Sequence, residues 1–171
     1  MTVLVAAAGR HGATGEIAER IGAVLAERGV EVEVKKLDEV REVGGYEAFV
    51  VGSGVYFGNW LKQARRFLDA HASELAERPT WLFSSGSIVS DPPVADDPNA
   101  LRAGLAAKLV GLTHAREHKL FGGKLDRSRL GLAEKLPVRM ARGREGDWRD
   151  LGAVDAWAAA IAAELRAERV T

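Results

Sequence analysis

The stretch Val3-Leu4-Val5-Ala6-Ala7-Ala8-Gly9-Arg10-His11-Gly12-Ala13-Thr14 decides the fold. Its opening residues, Val3 to Ala8, are apolar at every position, the pattern of a parallel strand buried on both faces. Gly9 ends the run, and from Thr14 onward Ile17, Ile21, Val24 and Leu25 recur at helical spacing until Arg28-Gly29 supplies a basic last turn and a stop. The segment therefore reads as strand, tight loop, helix.

Reading outward, Val30 to Lys35 alternates apolar and charged residues, as in a strand with one wet face at a sheet edge. Ala48-Phe49-Val50-Val51-Gly52 is a second continuous apolar run, followed by a loop of Ser, Gly and aromatic residues. Leu61, Ala64, Leu68, Ala72 and Leu75 then predict a helix beginning near Trp60. Thr80 to Phe83 reads as a third buried strand, and a Pro- and Asp-rich connection, Ser84 to Pro98, leads to a helix marked by Leu101, Leu105, Leu109 and Leu112. A polar strand near Thr113 to Leu120 and a final helix carrying Leu151, Val154, Ala158, Ile161 and Leu165 complete the series. Such β-α alternation predicts a single α/β domain over residues 1–171. The expected architecture is a doubly wound five-stranded parallel sheet, order 2-1-3-4-5, with helices on both faces. Ligands in such sheets bind beyond the carboxyl ends of the strands at the switch point, where the loops after Ala8, Gly52 and Phe83 converge.

Composition narrows the function. With 24 Lys plus Arg against 24 Asp plus Glu, the whole chain has no general field for nucleic acid or an anionic membrane. The absence of cysteine excludes disulfides, thiolate zinc sites, iron–sulfur clusters and Cys nucleophiles, so redox chemistry requires an organic cofactor. The apolar run before Gly9 is too short, and lacks the flanks, for a signal peptide or a membrane span, which makes a cytoplasmic location the expectation.

The loop Gly9 to Thr14 has the physics of a phosphate site. Gly12 lets the backbone come close, the first N–H groups of the helix are free, and the helix dipole favours an anion. Thr14 adds a hydroxyl and Arg10 a charge. The plainer reading, that Gly12 relieves a turn and Thr14 caps a helix, stands beside it. The loop matches neither G-x-G-x-x-G nor G-x-x-x-x-G-K-[ST]. A phosphoacceptor receiver needs carboxylates at the ends of strands one and three, but those ends read Ala6-Ala7-Ala8 and Gly52-Ser53-Gly54.

Three motifs together carry a resemblance: Gly-Arg-His-Gly-Ala-Thr from Gly9, Gly-Ser-Gly-Val-Tyr-Phe-Gly-Asn-Trp from Gly52, and Phe-Gly-Gly-Lys-Leu-Asp from Phe121. Across nearly its whole length the chain resembles the flavodoxin-domain family that includes menaquinone-dependent protoporphyrinogen dehydrogenases. That resemblance implies a flavodoxin-like fold and FMN as cofactor. It carries Arg10, His11, Gly12, Ala13 and Thr14 over as the wrap around the FMN phosphate. Gly54, Val55, Tyr56, Phe57 and Gly58 would run beside the isoalloxazine, with Tyr56, Phe57 or Trp60 offering a ring to stack on it. Ser85, Gly86 and Ser87 would meet the polar edge of the ring. Family members usually carry Ser or Thr where this chain has Gly9, and a hydroxyl contact to a charged group is worth roughly 1–3 kcal/mol. No catalytic acid or base is implied. The implied reaction passes electrons or hydride from a reduced, protoporphyrinogen-like donor to a quinone. A small FMN electron carrier and a flavin-free binding module with the same fold remain as alternatives.

Of the histidines, His71 shares the apolar face of Leu68 and Leu75 and reads as a core or boundary residue. His114 and His118 are four apart, but on a strand and with no accompanying carboxylate pattern, so no metal site is expected. Trp148 and Trp157 flank the last helix and read as packing residues. The segment 121–145 is long for a plain connection, and its Lys and Arg residues are interleaved with apolar ones. A short helix to about Leu136, then an extended basic stretch after Pro137, is expected there. The segment is read either as a cover for the sheet edge or as a surface for a porphyrin-like anion or a peripheral membrane contact at the inner face.

Overall fold

The computed structural model describes residues 1–10, 12–86, 101–102, 104–122, 124–125, 146–147 and 150–169. The run around Val3 forms β1 (Thr2–Ala8), and the periodic segment after it forms α1 (Ala13–Glu27). The alternating segment is β2 (Glu31–Lys36), and the second apolar run is β3 (Ala48–Tyr56). β4 (Asn59–Trp60), α2 (Lys62–Ala70), α3 (Ala72–Ala76) and β5 (Thr80–Gly86) follow. Next come α4 (Leu105–Thr113), β6 (Glu117–Gly122), β7 (Lys124–Leu125), β8 (Gly146–Asp147) and α5 (Leu151–Glu168).

The main sheet is ordered β2-β1-β3-β5-β6 with every neighbouring pair parallel. This is the expected 2-1-3-4-5 winding, with one addition. The chain beyond Gly52 does not leave the sheet as a loop. It continues to Tyr56, turns at Phe57-Gly58 and returns as β4, antiparallel to β3. β7 and β8 form a separate antiparallel pair.

Alternate residues of β1 feed two cores, as strand geometry requires. Val3, Val5 and Ala7 pack with Ile17, Ile21, Phe83, Trp157 and Ile161 beneath α1 and α5. Leu4, Ala6 and Ala8 pack with Phe49, Trp60, Leu68, Leu82 and Leu109 on the side of α2, α3 and α4. Each fully buried aliphatic side chain of this kind contributes about 1.5–3 kcal/mol. The sheet is thus held from both faces, and its upper edge carries the loops.

Two helices differ from expectation. The stripe from Leu61 to Leu75 is broken at His71, whose φ of −119° ends α2 and starts α3. His71 is a boundary residue, its ring 4.8 Å from that of Phe67. Leu101 precedes α4, and Leu112 and Leu151 face outward. Trp157 is a packing residue, buried, with its Nε1 donating to Glu117 Oε2 at 2.6 Å. Trp148 and most of 121–145, including the expected helix and basic stretch, lie outside the described residues.

Candidate functional site

The parallel register brings three strand ends level: Ala8 lies opposite Ser53, Gly54 opposite Ser85, and Gly86 opposite Gly122. The loops at these ends therefore face one crevice, on the side where open α/β sheets bind ligands.

At the first end, Gly12 adopts φ +88°, a left-handed conformation, and serves as the N-cap of α1 without any side-chain cap. The Glu16 N–H bonds Gly12 O at 2.9 Å, so the N–H groups just ahead of it lack partners within the helix. Ala13 opens the helix, and Thr14 is buried against the strand ends. A Cβ on Gly9 would lie 2.9 Å from Thr14 Oγ1, and one on Gly54 would lie 3.2 Å from the same atom. The Thr14 hydroxyl thus fills a space that two glycines leave open. Arg10 places its guanidinium 4.6 Å above the Tyr56 ring, a cation–π contact joining the first loop to the second. His11 lies outside the described residues.

At the second end, Val55 pairs with Trp60 and Tyr56 with Asn59, closing a hairpin whose turn is Phe57-Gly58. Gly58 has φ +74°, but Phe57 also has a positive φ, +48°, which is uncommon for a bulky residue and marks local strain. Phe57 is 44% exposed, its ring 4.8 Å from that of Tyr56. Asn59 Nδ2 donates to Phe57 O at 3.1 Å, Arg102 N to Gly58 O at 2.9 Å, and Leu61 N to Ser53 Oγ at 3.1 Å. The backbone of the turn is held from several directions.

Trp60 lies in the core. It is 1% exposed, and its Nε1 donates to Ser84 Oγ at 2.6 Å. Of the two roles open to it, the structure realises the core anchor. At the third end, Ser85 and Gly86 are the last residues of β5 and are buried, whereas Ser87 lies outside the described residues.

Sequence reasoning weighed His118 only as a metal ligand and gave Ser53 and Ser84 no role. Ser84 Oγ lies 2.7 Å from His118 Nε2, and burial pushes the His118 imidazole below its ordinary pKa, with Glu117 pulling weakly the other way. His114 is the left-handed C-cap of α4, on a different element from His118. Among the described residues no cluster of His, Cys, Asp or Glu has the makings of a metal site, and no helix is long and apolar enough to cross a membrane.

The donor set suits a phosphomonoester. A left-handed glycine, uncapped N–H groups at the start of a helix, a threonine hydroxyl and a nearby guanidinium are what a dianion requires. Two half-buried or exposed aromatic rings, Tyr56 and Phe57, flank the same crevice and suit a flat conjugated ring. The residues present therefore fit FMN.

Residues 4–151 match the flavodoxin domain. Protoporphyrinogen IX dehydrogenase (quinone) of Escherichia coli K12 is 26% identical over 94 residues, which cover 54% of this chain and 52% of that protein. The chain thus spans about half the length of the curated relatives it matches. A flavodoxin from the Archaea superposes with a TM-score of 0.56 at 21% identity, covering 83% of this chain and 97% of the other. A single-site variant of the Pseudomonas aeruginosa flavodoxin reaches 0.60 at 15% identity, covering 97% and 99%. At such identities the structural likeness concerns the fold.

Proposed function

The chain belongs to the flavodoxin domain family and binds FMN, and from that premise we propose that it is an oxidoreductase passing electrons or hydride from a reduced, protoporphyrinogen-like donor to a quinone. The observation that carries the reading is the 26% identity to protoporphyrinogen IX dehydrogenase (quinone). When bound, FMN supplies the redox chemistry, accepting and giving up hydride or single electrons. The protein's own residues bind, orient and shield.

In this reading the N–H groups from Arg10 to Thr14, the Thr14 hydroxyl and the Arg10 charge hold the phosphate, with His11 in the same loop. Gly54, Val55, Tyr56, Phe57 and Gly58 border the ring, and Ser85, Gly86 and Ser87 meet its polar edge. The Arg10 guanidinium, resting on Tyr56, ties the phosphate loop to the ring loop. A cytoplasmic site of action, with peripheral contact to the quinone-bearing membrane through 121–145, belongs to the same proposal.

A second reading, a small FMN electron carrier, is favoured by the flavodoxins that superpose over nearly their whole length. Purified, FMN-loaded protein given protoporphyrinogen IX and a menaquinone analogue separates the two. Catalytic loss of both substrates is expected. Single-electron exchange with a partner protein and no quinone-dependent turnover would establish the carrier instead.

A further inference from the structure

A chain of three polar groups, buried at Trp60 and Ser84 and half-buried at His118, crosses the sheet and belongs to none of the contacts assigned to the phosphate or the ring. Trp60 Nε1 is 2.6 Å from Ser84 Oγ, and Ser84 Oγ is 2.7 Å from His118 Nε2. The three residues belong to β4, β5 and β6, so the chain runs across the sheet from the ring-side hairpin to the edge strand. The indole N–H donates only, and the Ser84 hydroxyl accepts it. Among the described residues the one other side-chain partner of that hydroxyl is His118 Nε2, which accepts the Ser84 proton when the imidazole is neutral with its own proton on Nδ1.

Removing that second partner would leave the buried hydroxyl with the Trp60 N–H alone and free it to turn. Trp60 is one of the residues that fasten the hairpin, and the one that joins it to the core. It pairs with Val55, and its ring lies in the core with Phe49, Leu82 and Leu68. The tip it closes carries the strained Phe57, φ +48°, and such a conformation persists only where its surroundings over-determine it.

We infer that His118, acting through Ser84 and Trp60, is a positioning residue that sets the hairpin Tyr56–Asn59 in the conformation that receives the flavin ring. The inference rests on the FMN reading for its ligand effect but not for its effect on the hairpin.

Three variants test it: His118→Phe, which removes the acceptor, His118→Gln, which restores one near the position of Nε2, and Trp60→Phe, which removes the donor. In the protein without flavin, the Trp60 indole N–H resonance and the backbone amides of Tyr56 to Asn59 are expected to shift in His118→Phe and to return towards the parent in His118→Gln. FMN affinity, from quenching of flavin fluorescence, is expected to fall about three- to tenfold in His118→Phe, the size of one lost buried hydrogen bond. In the Trp60→Phe background the same change is expected to cost nothing more. Unmoved hairpin amides in the flavin-free His118→Phe protein, or losses of FMN affinity that add in the double variant, would overturn the inference. A parent protein that binds no FMN defeats the cofactor reading alone, because the flavin-free amide shifts decide the hairpin question without it.

Discussion

Gly9 stands where a Cβ would lie 2.9 Å from both Cβ and Oγ1 of Thr14. By resemblance a Ser or Thr would be usual there, and glycine would cost the site a hydroxyl. The geometry gives another account: Thr14 already occupies that volume, so the loop carries its hydroxyl at one end and not the other. Gly9→Ser is therefore expected to weaken FMN binding, because Thr14 must move away to admit the new side chain. Thr14→Ala should itself cost about 1–3 kcal/mol, the worth of a hydroxyl bonded to a charged phosphate. In the double variant the loss should fall somewhat short of the sum of the two, since alanine in place of Thr14 removes the clash with Oγ1 while keeping the one with Cβ. Fluorescence titration of all four proteins checks this, and tighter FMN binding by Gly9→Ser in the parent background would refute it. Gly12 is a different case. Its φ of +88° disfavours any side chain, and Gly12→Val should cost about 1–2 kcal/mol in strain besides obstructing the phosphate. FMN should accordingly bind far more tightly than riboflavin in the parent and lose much of that advantage in this variant.

Among the elements, those with a strong apolar period were legible in the sequence and the rest were not. β1 and α1 are fixed by the unbroken run from Val3 and the helical stripe from Ile17, and both lie where that pattern puts them. The extension of β3 through Gly54, Val55 and Tyr56 was not legible, since small and aromatic residues between glycines carry a loop signature and only the pairing with β4 makes them a strand. The break at His71 was hidden as well, because Leu68 and Leu75 continue one apolar stripe across it. Nor does any local pattern join Ser84 to Trp60 and His118, which lie 24 and 34 positions from it along the chain. Gly52 shows the same limit: it reads as the end of a strand, but a Cβ there would fall inside the Phe83 ring on β5. Gly52→Ala is expected to destabilise the fold by about 1–3 kcal/mol through overpacking, seen as a lower urea midpoint with an unchanged slope. For β6, the pH dependence follows from the burial that lowers the His118 pKa. In the unfolded chain the imidazole titrates near its ordinary value, about 6.5, and in the folded chain below it. Between the two the unfolded state binds more protons, so His118 adds stability above the ordinary value and loses it as pH falls through the folded one. Glu117, the neighbouring carboxylate, engages Trp157 at 2.6 Å and Lys119 at 3.9 Å, and opposes this shift only weakly. The urea midpoint should therefore fall more steeply on acidification from about pH 7 to 5 in the parent than in His118→Gln. Parallel curves would show that the imidazole is not buried neutral.

Taken as a whole molecule, the chain balances 24 basic against 24 acidic residues, yet it does not spread them evenly. Across the outer helices Arg20 of α1 meets Asp155 of α5 at 2.5 Å, and exposed pairs of that kind contribute little to stability. Within 121–145 the balance is lost. Lys124, Arg127, Arg129, Lys135, Arg139, Arg142 and Arg144 face only Asp126, Glu134 and Glu145 in the sequence, with Leu130, Leu132, Leu136, Val138 and Met140 among them. A neutral protein that concentrates cations beside apolar residues attracts an anionic apolar partner locally while keeping its overall field flat. Both partners of the proposed reaction meet that description in part: a protoporphyrinogen-like donor carries carboxylates on an apolar macrocycle, and a quinone resides in a membrane with anionic headgroups. Clustered Lys and Arg near such a surface contribute roughly 1 kcal/mol each, and salt screens the attraction. Replacing Arg139, Arg142 and Arg144 together with Gln should therefore weaken binding to porphyrin or to anionic vesicles by up to about 3 kcal/mol at low salt, with the difference shrinking as salt is raised. FMN affinity should stay at the parent value, because none of the three arginines belongs to the loops assigned to the cofactor, Gly9 to Thr14, Gly54 to Gly58 and Ser85 to Ser87. Sedimentation with phosphatidylserine vesicles and porphyrin fluorescence titration measure the two halves of the expectation. Unchanged binding of both ligands at low salt would mean that the segment serves only to cover the sheet edge.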